Sequence, residues 1–143
     1  MRKLTYLLFV ISLIACEKEG STYLFPEIAF ESISPPFPIE HKDSIIITIF
    51  YSDMDGDLGE NVPDKKNLFV TDNRNDLIYK YRIPELSPSG SNIAIEGYFH
   101  IKINGPGITD ESSSQKVNYD IYVKDRAENK SNTITTSSIT IQQ

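Results

Sequence analysis

Three aspartates at alternate positions, Asp53, Asp55 and Asp57, open the segment Asp53-Met-Asp-Gly-Asp-Leu-Gly-Glu-Asn-Val-Pro-Asp64. Carboxylates two residues apart, with Gly56 and Gly59 to turn the chain tightly, repel one another unless something neutralises them. Calcium suits such a loop, because it is a hard ion that takes about six to eight oxygens and accepts irregular geometry. The sequence leaves a second reading open, a solvated acidic turn whose Asp side chains accept hydrogen bonds from backbone N–H groups.

Other chemistries find little support. His41 and His100 stand alone and Cys16 is the only cysteine, too few N and S ligands for zinc. Glycosidase chemistry needs two carboxyls facing each other across a cleft, whereas these acids crowd one loop. Asn104-Gly-Pro-Gly107 lacks the Lys-Ser/Thr and the helix of a phosphate loop. The expectation is therefore a protein that is not an enzyme. Tyr79 and Tyr81, with Tyr98 or Tyr122, are candidates for an aromatic platform that stacks on sugar rings. Cross-strand packing of the same rings on a half-buried face is the plainer alternative.

The elements that must hold these residues read as strands. After Tyr23 no stretch has a 3.6-residue period; alternation and β-branched enrichment recur between turn signals instead. The expected strands are Pro26–Ile33, Ser44–Tyr51, Leu68–Thr71, Leu77–Ile83, Ile93–Ile103, Val117–Lys124 and Thr133–Ile141. Ser44–Tyr51 is apolar on both faces and should be central. Gly97 marks an expected bulge or bend in its strand. Seven strands with turns at short intervals predict one all-β sandwich over residues 26–143.

The segment Tyr119-Asp-Ile-Tyr-Val-Lys-Asp125-Arg-Ala127-Glu-Asn129-Lys-Ser131-Asn132 resembles the final hairpin of bacterial Ig-like and fibronectin-like domains, with Glu128 where those domains carry glycine. The resemblance implies an Ig-like sandwich of about seven strands, with Tyr119 as a tyrosine corner and Ile121 in a core position. The acidic loop is not an EF-hand. Leu58 occupies the glycine position, Asp64 replaces the bidentate Glu, and no helices flank it. It is similar to the Asp-x-Asp-Gly-Asp-x-Gly loops of calcium-stabilised β-sandwiches. In an Ig sandwich the loop after the second strand and the turn before the last emerge at one end. That topology puts Asp125, and with it Asn129, in reach of an ion held by Asp53, Asp55 and Asp57.

The chain begins with an address. Met1-Arg2-Lys3 is a short basic start, and Leu4–Ala15 is an apolar run of twelve residues, the layout of a secretory signal. As a helix it would cover about 18 Å, short of the roughly 30 Å hydrocarbon core. Leu13-Ile14-Ala15-Cys16 resembles the lipobox of bacterial lipoproteins. The resemblance implies a signal peptide over 1–15, covalent lipid on Cys16 with palmitate-type acylation of the new terminus, and a tether over 16–25. Glu17-Lys18-Glu19 is similar to part of the acidic signal that some Gram-negative lipoproteins use to reach the surface. The expected location is the outer membrane, in either leaflet.

Composition narrows the partners. The chain of 143 residues carries 14 basic and 20 acidic residues, a formal charge of −6. Loss of residues 1–15 removes Arg2 and Lys3 and no acid, which makes the remainder more negative still. A polyanion such as nucleic acid needs a basic surface and is excluded as a partner. The leading expectation is a lipid-anchored envelope lipoprotein, a non-enzymatic Ig-like module that contacts another envelope protein or a glycan. The alternative is a glycan-binding accessory lipoprotein of an outer-membrane uptake system.

Overall fold

The structure, a computed structural model, describes residues 24–143. The signal segment, Cys16 and the first part of the tether lie outside the described residues. No helix occurs among the described residues; the chain forms nine strands, all paired antiparallel. They are β1 (Glu27–Ser34), β2 (Ser44–Asp53), β3 (Leu68–Asp72), β4 (Leu77–Tyr81), β5 (Ile95–Asn104), β6 (Ser114–Val117), β7 (Tyr119–Val123), β8 (Ile134–Thr135) and β9 (Ile139–Gln142). One sheet has the order β1-β2-β5, a second β4-β3-β7-β8, and β6 pairs with β9. The expected all-β sandwich is the observed architecture.

Of the two additional strands, one comes from an interruption and one from a segment expected to be loop. β6 begins in the expected polar loop and meets the expected Val117–Lys124 strand only at Val117, where Asn118 separates it from β7; β8 and β9 are the expected last strand, broken over 136–138. The break leaves two residues on one side and three on the other, between the Val117–Ile139 and Asp120–Thr135 pairs. That mismatch is a bulge. Thr136 spans it, its Oγ1 accepting from Tyr119 N–H at 3.1 Å while its own N–H donates to Tyr119 O at 2.9 Å.

Alternation decides what each strand buries. In β2 every second residue, Ile45, Ile47, Ile49, Tyr51 and Asp53, faces inward and is buried. β2 is the central strand of its sheet, as its apolar sequence predicts. Leu68 and Val70 of β3, Ile101 and Ile103 of β5 and Tyr119, Ile121 and Val123 of β7 complete the shared core. At roughly 25 cal/mol per Å² of apolar area, this isoleucine-rich interior is the main stabilising contribution of a chain without an intrachain disulfide.

Two sequence expectations are corrected here. Gly97 makes no bulge, for the β2–β5 ladder runs unbroken through the Tyr51–Gly97 pair. Its missing side chain serves the neighbour, since a Cβ there would stand 2.8 Å from the Tyr51 hydroxyl. Tyr51 crosses that space and stacks on Phe99 with ring centroids 4.2 Å apart. Tyr119 is buried at the start of β7 as a tyrosine corner requires, but its hydroxyl has no partner among the described residues. The corner's return hydrogen bond is therefore missing.

The N-terminal described segment reaches two sheets, β1 pairing with β2 and Pro36–Glu40 lying beside β9. β1 pairs with β2 until Ser34, bulging at Phe30–Ser32. The Ser34-Pro35 bond is cis, and beyond it the chain runs parallel to β9. Pro36 O accepts from Thr140 N–H at 3.0 Å, Pro38 O from Gln142 N–H at 2.9 Å, and Glu40 N–H donates to Gln142 O at 2.8 Å.

Candidate metal centre

Three aspartates fall in phase with the core. Asp53 follows Tyr51 on the inward face of β2, Asp125 follows Val123 on that of β7, and Asp72 follows Val70 on that of β3; they are 0%, 2% and 1% exposed. A carboxylate taken out of water costs several kcal/mol unless charge or hydrogen bonds replace the solvent. The fold answers this need differently in each case.

Asp72 has its own cation. Arg74 sits two residues on, with Nη2 2.7 Å from Asp72 Oδ2 and Nε 3.0 Å from Oδ1. Asp125 is satisfied by Asn129, whose backbone N–H donates to Oδ1 at 2.8 Å and whose Nδ2 donates to Oδ2 at 2.9 Å. Asp53 is only half satisfied. Its Oδ2 accepts from Leu58 N–H at 2.6 Å, while Oδ1 is buried with no partner.

The neighbours of Asp53 share that condition. Asp55 Oδ1 and Asp57 Oδ1 are likewise buried and without a hydrogen-bond partner. One carboxylate oxygen from each of Asp53, Asp55 and Asp57 lies within 4.8 Å of the others. Calcium–oxygen bonds of about 2.3–2.6 Å place two ligands of one ion at most about 5 Å apart, so the three residues fit a single calcium.

The loop is shaped to keep them together. Gly56 and Gly59 have φ of +71° and +97°, the left-handed region that favours glycine. A side chain at Gly56 would strike the Ile93 carbonyl, and one at Gly59 the Pro84 carbonyl. Leu58, fully buried, plugs the end of the core and forms an antiparallel bridge with Asp125. Arg126 N–H donates to Asp57 O at 3.2 Å. The Arg126 guanidinium braces the outside of the loop, with Nη2 3.2 Å from Gly56 O and Nη1 3.4 Å from Glu85 Oε1 and from Ser87 O. Ser87 Oγ also donates to Gly56 O.

The electrostatics record the crowding. Burial first, then the close Asp55 carboxyl and the charge of Asp57, push the Asp53 carboxyl up to about 6, against the Leu58 N–H that holds it down. Asp57 is raised by burial, then by Asp125 and Asp55, with Arg126 opposing. Asp125 is raised by burial while the Asn129 hydrogen bonds oppose the shift. Each of these groups ionises fully at a cost that a divalent cation would remove.

Of the four expected metal residues, then, Asp53, Asp55 and Asp57 form the tight set, and Asp125 stands beside it, engaged by Asn129. Sequence reasoning missed Arg126, Ser87 and Glu85, which brace the loop from contacts distant in sequence. The expected tyrosine platform does not assemble as one surface. Tyr79 and Tyr81 are half-buried and pack against the core from β4, and Tyr81 donates to Lys102 O at 2.9 Å. Tyr98 is exposed on the outer face of β5 against Phe50, and Tyr122 stacks on Phe69 beneath Lys130. Tyr81 also lines a hollow of about 310 Å³ between the β4 and β5 edges, with Leu68, Ile83, Phe99 and Ile101.

The fold and the loop define an all-β sandwich with an acidic loop at one end of its core. No family model matches the chain, and neither a curated protein nor a solved structure matches it.

Proposed function

We propose that the chain is a non-enzymatic module of the cell envelope, anchored by covalent lipid on Cys16 and stiffened by calcium in the Asp53–Asp57 loop. The observation that carries this reading is that Asp53, Asp55 and Asp57 each keep a buried carboxylate oxygen without a partner, while one carboxylate oxygen from each lies within 4.8 Å of the others. Acids converging on one point suit a cation. General acid–base chemistry on a glycoside would need carboxyls about 5–9.5 Å apart on either side of a substrate. A rigid sandwich held near a bilayer is then suited to present its exposed faces to another envelope component. The partly buried Tyr79 and Tyr81 favour this reading over a sugar-stacking one.

Two measurements on the full-length protein purified from bacterial membranes test it. Mass spectrometry of the N-terminal peptide should show Cys16 as the first residue, carrying acyl chains. Thermal unfolding in excess calcium should exceed that in chelator by about 2.7 kcal/mol at a hundredfold excess over Kd, a shift of roughly 10 °C. Asp55→Ala should abolish the shift. An unmodified N-terminus with a melt insensitive to millimolar calcium would refute both parts of the reading.

A further inference from the structure

Strand register gathers several chain segments at one end of the molecule. β1 begins opposite Ser52, and β5 begins at Ile95 opposite Asp53. Asn129, clamped by Asp125, donates from Nδ2 to Leu24 O at 3.1 Å. The end that carries the acidic loop is therefore the end from which the chain leaves toward Cys16.

Apolar side chains concentrate at the same end. Nine large hydrophobic residues are exposed among the described residues, and five of them, Leu24, Phe25, Met54, Val62 and Ile93, surround this loop at 43–59% exposure. Met54 stands between Asp53 and Asp55, and the Ile93 carbonyl abuts Gly56. A gathering of exposed apolar groups at one place marks a contact surface.

Chain length says what lies opposite. Leu24 is eight residues from Cys16, a span of at most about 28 Å when fully extended. With Cys16 acylated, this end stays within that distance of the lipid headgroups. We propose that it is a calcium-gated membrane-contact face, whose apolar side chains enter the headgroup region of an anionic phospholipid surface when Asp53, Asp55 and Asp57 hold calcium. This rests on the reading of Cys16 as the anchor and of the acidic loop as the calcium site.

The gate is electrostatic. Without a cation the loop carries uncompensated negative charge toward lipid phosphates of the same sign, a repulsion that acts over a Debye length of about 8 Å. Three of the basic residues at this end already serve acids. Lys65 pairs with Glu60 at 3.3 Å and Glu128 at 3.0 Å, Lys124 with Glu128 at 3.2 Å, and Arg126 with Glu85 at 3.4 Å. Calcium cancels two of the three charges and leaves the apolar ring free to insert.

The chain contains no tryptophan, so a single indole reports its own position. Met54→Trp and Ile93→Trp place it at this end, and Phe37→Trp places it at the far end, beside β9. The full-length acylated protein is reconstituted in phosphatidylethanolamine–phosphatidylglycerol vesicles containing brominated lipid. The indole at 54 or 93 should shift to the blue and be quenched in calcium, revert in chelator, and lose the response when Asp55→Asn is added. The indole at 37 should not respond. If the ends behave alike in calcium while the acyl mass and the melting shift are both present, this inference is overturned and the proposed function stands. Quenching equal with and without calcium overturns the gate. Loss of the acyl mass or of the melting shift defeats the underlying reading and this one with it.

Discussion

Without divalent cations the protein should be less stable at pH 7 than at pH 4.5, the reverse of the usual behaviour of a domain held by carboxylate ion pairs. Asp53 is the reason. In the unfolded chain its carboxyl titrates at the ordinary 3.8, while in the fold burial and the adjacent Asp55 and Asp57 push it up to about 6. Between those values the folded state binds more protons than the unfolded one, so stability falls as pH rises. The stabilisation is complete below 3.8, is lost as pH climbs through 6, and is absent above. A shift from 3.8 to about 6 corresponds to an order of 3 kcal/mol, or roughly 10 °C of melting temperature for a domain of this size. The assay is thermal unfolding in chelator at half-unit intervals from pH 4 to 7.5, on the natural protein and on Asp53→Asn. The amide keeps an oxygen for Leu58 N–H and cannot ionise, so the difference between the two curves isolates Asp53 from the other acids. Excess calcium should raise the natural protein at pH 7 and leave Asp53→Asn unmoved. A difference curve that is flat, or that rises with pH, would refute the claim that Asp53 is an uncompensated buried carboxyl.

Further predictions address the frame around the loop. Gly56→Ala places a side chain on the Ile93 carbonyl in a left-handed backbone conformation, and should cost about 3 kcal/mol or more by denaturant titration and abolish the calcium response. Arg74→Ala strands Asp72, 1% exposed, and should cost about 3–5 kcal/mol. Arg74→Lys should recover only part of this, because one ammonium cannot reach Asp72, Gly107 O and Gln115 Oε1 together. Tyr119→Phe removes a buried hydroxyl that has no partner, and should be neutral or stabilising by up to about 1 kcal/mol; a loss above that would restore the tyrosine corner.

Much of the fold was legible because β2, β5 and β7 alternate cleanly, and alternation is a local property. The interruptions at Asn118 and over 136–138 were not, since a bulge depends on the register of two strands at once. Gly97 shows the same limit. As a lone glycine in a strand it signals a bend, and only the ring of Tyr51 across the ladder explains it. The acidic loop stood out by composition, yet its strongest signal lay elsewhere. Asp53 and Asp125 continue the inward phase of Ile49-x-Tyr51 and Ile121-x-Val123, so alternation alone points two acids into the core. The bracing of the loop by Arg126, Ser87 and Glu85 joins segments 31–70 residues apart in sequence, and no local pattern encodes that.

The run of the chain from β1 to the segment beside β9 has a mechanical consequence. A chain anchored through residue 16 receives any drag on the domain at the start of β1. The pull runs along β1 and then along Pro36–Glu40, which lies parallel to β9 near the C-terminus. Load applied along paired strands is shared by many hydrogen bonds at once, whereas a hairpin pulled at its open end yields one bond at a time. An anchor at that residue would load both sets of hydrogen bonds in shear. A domain anchored there should resist extraction more stubbornly than its modest size suggests.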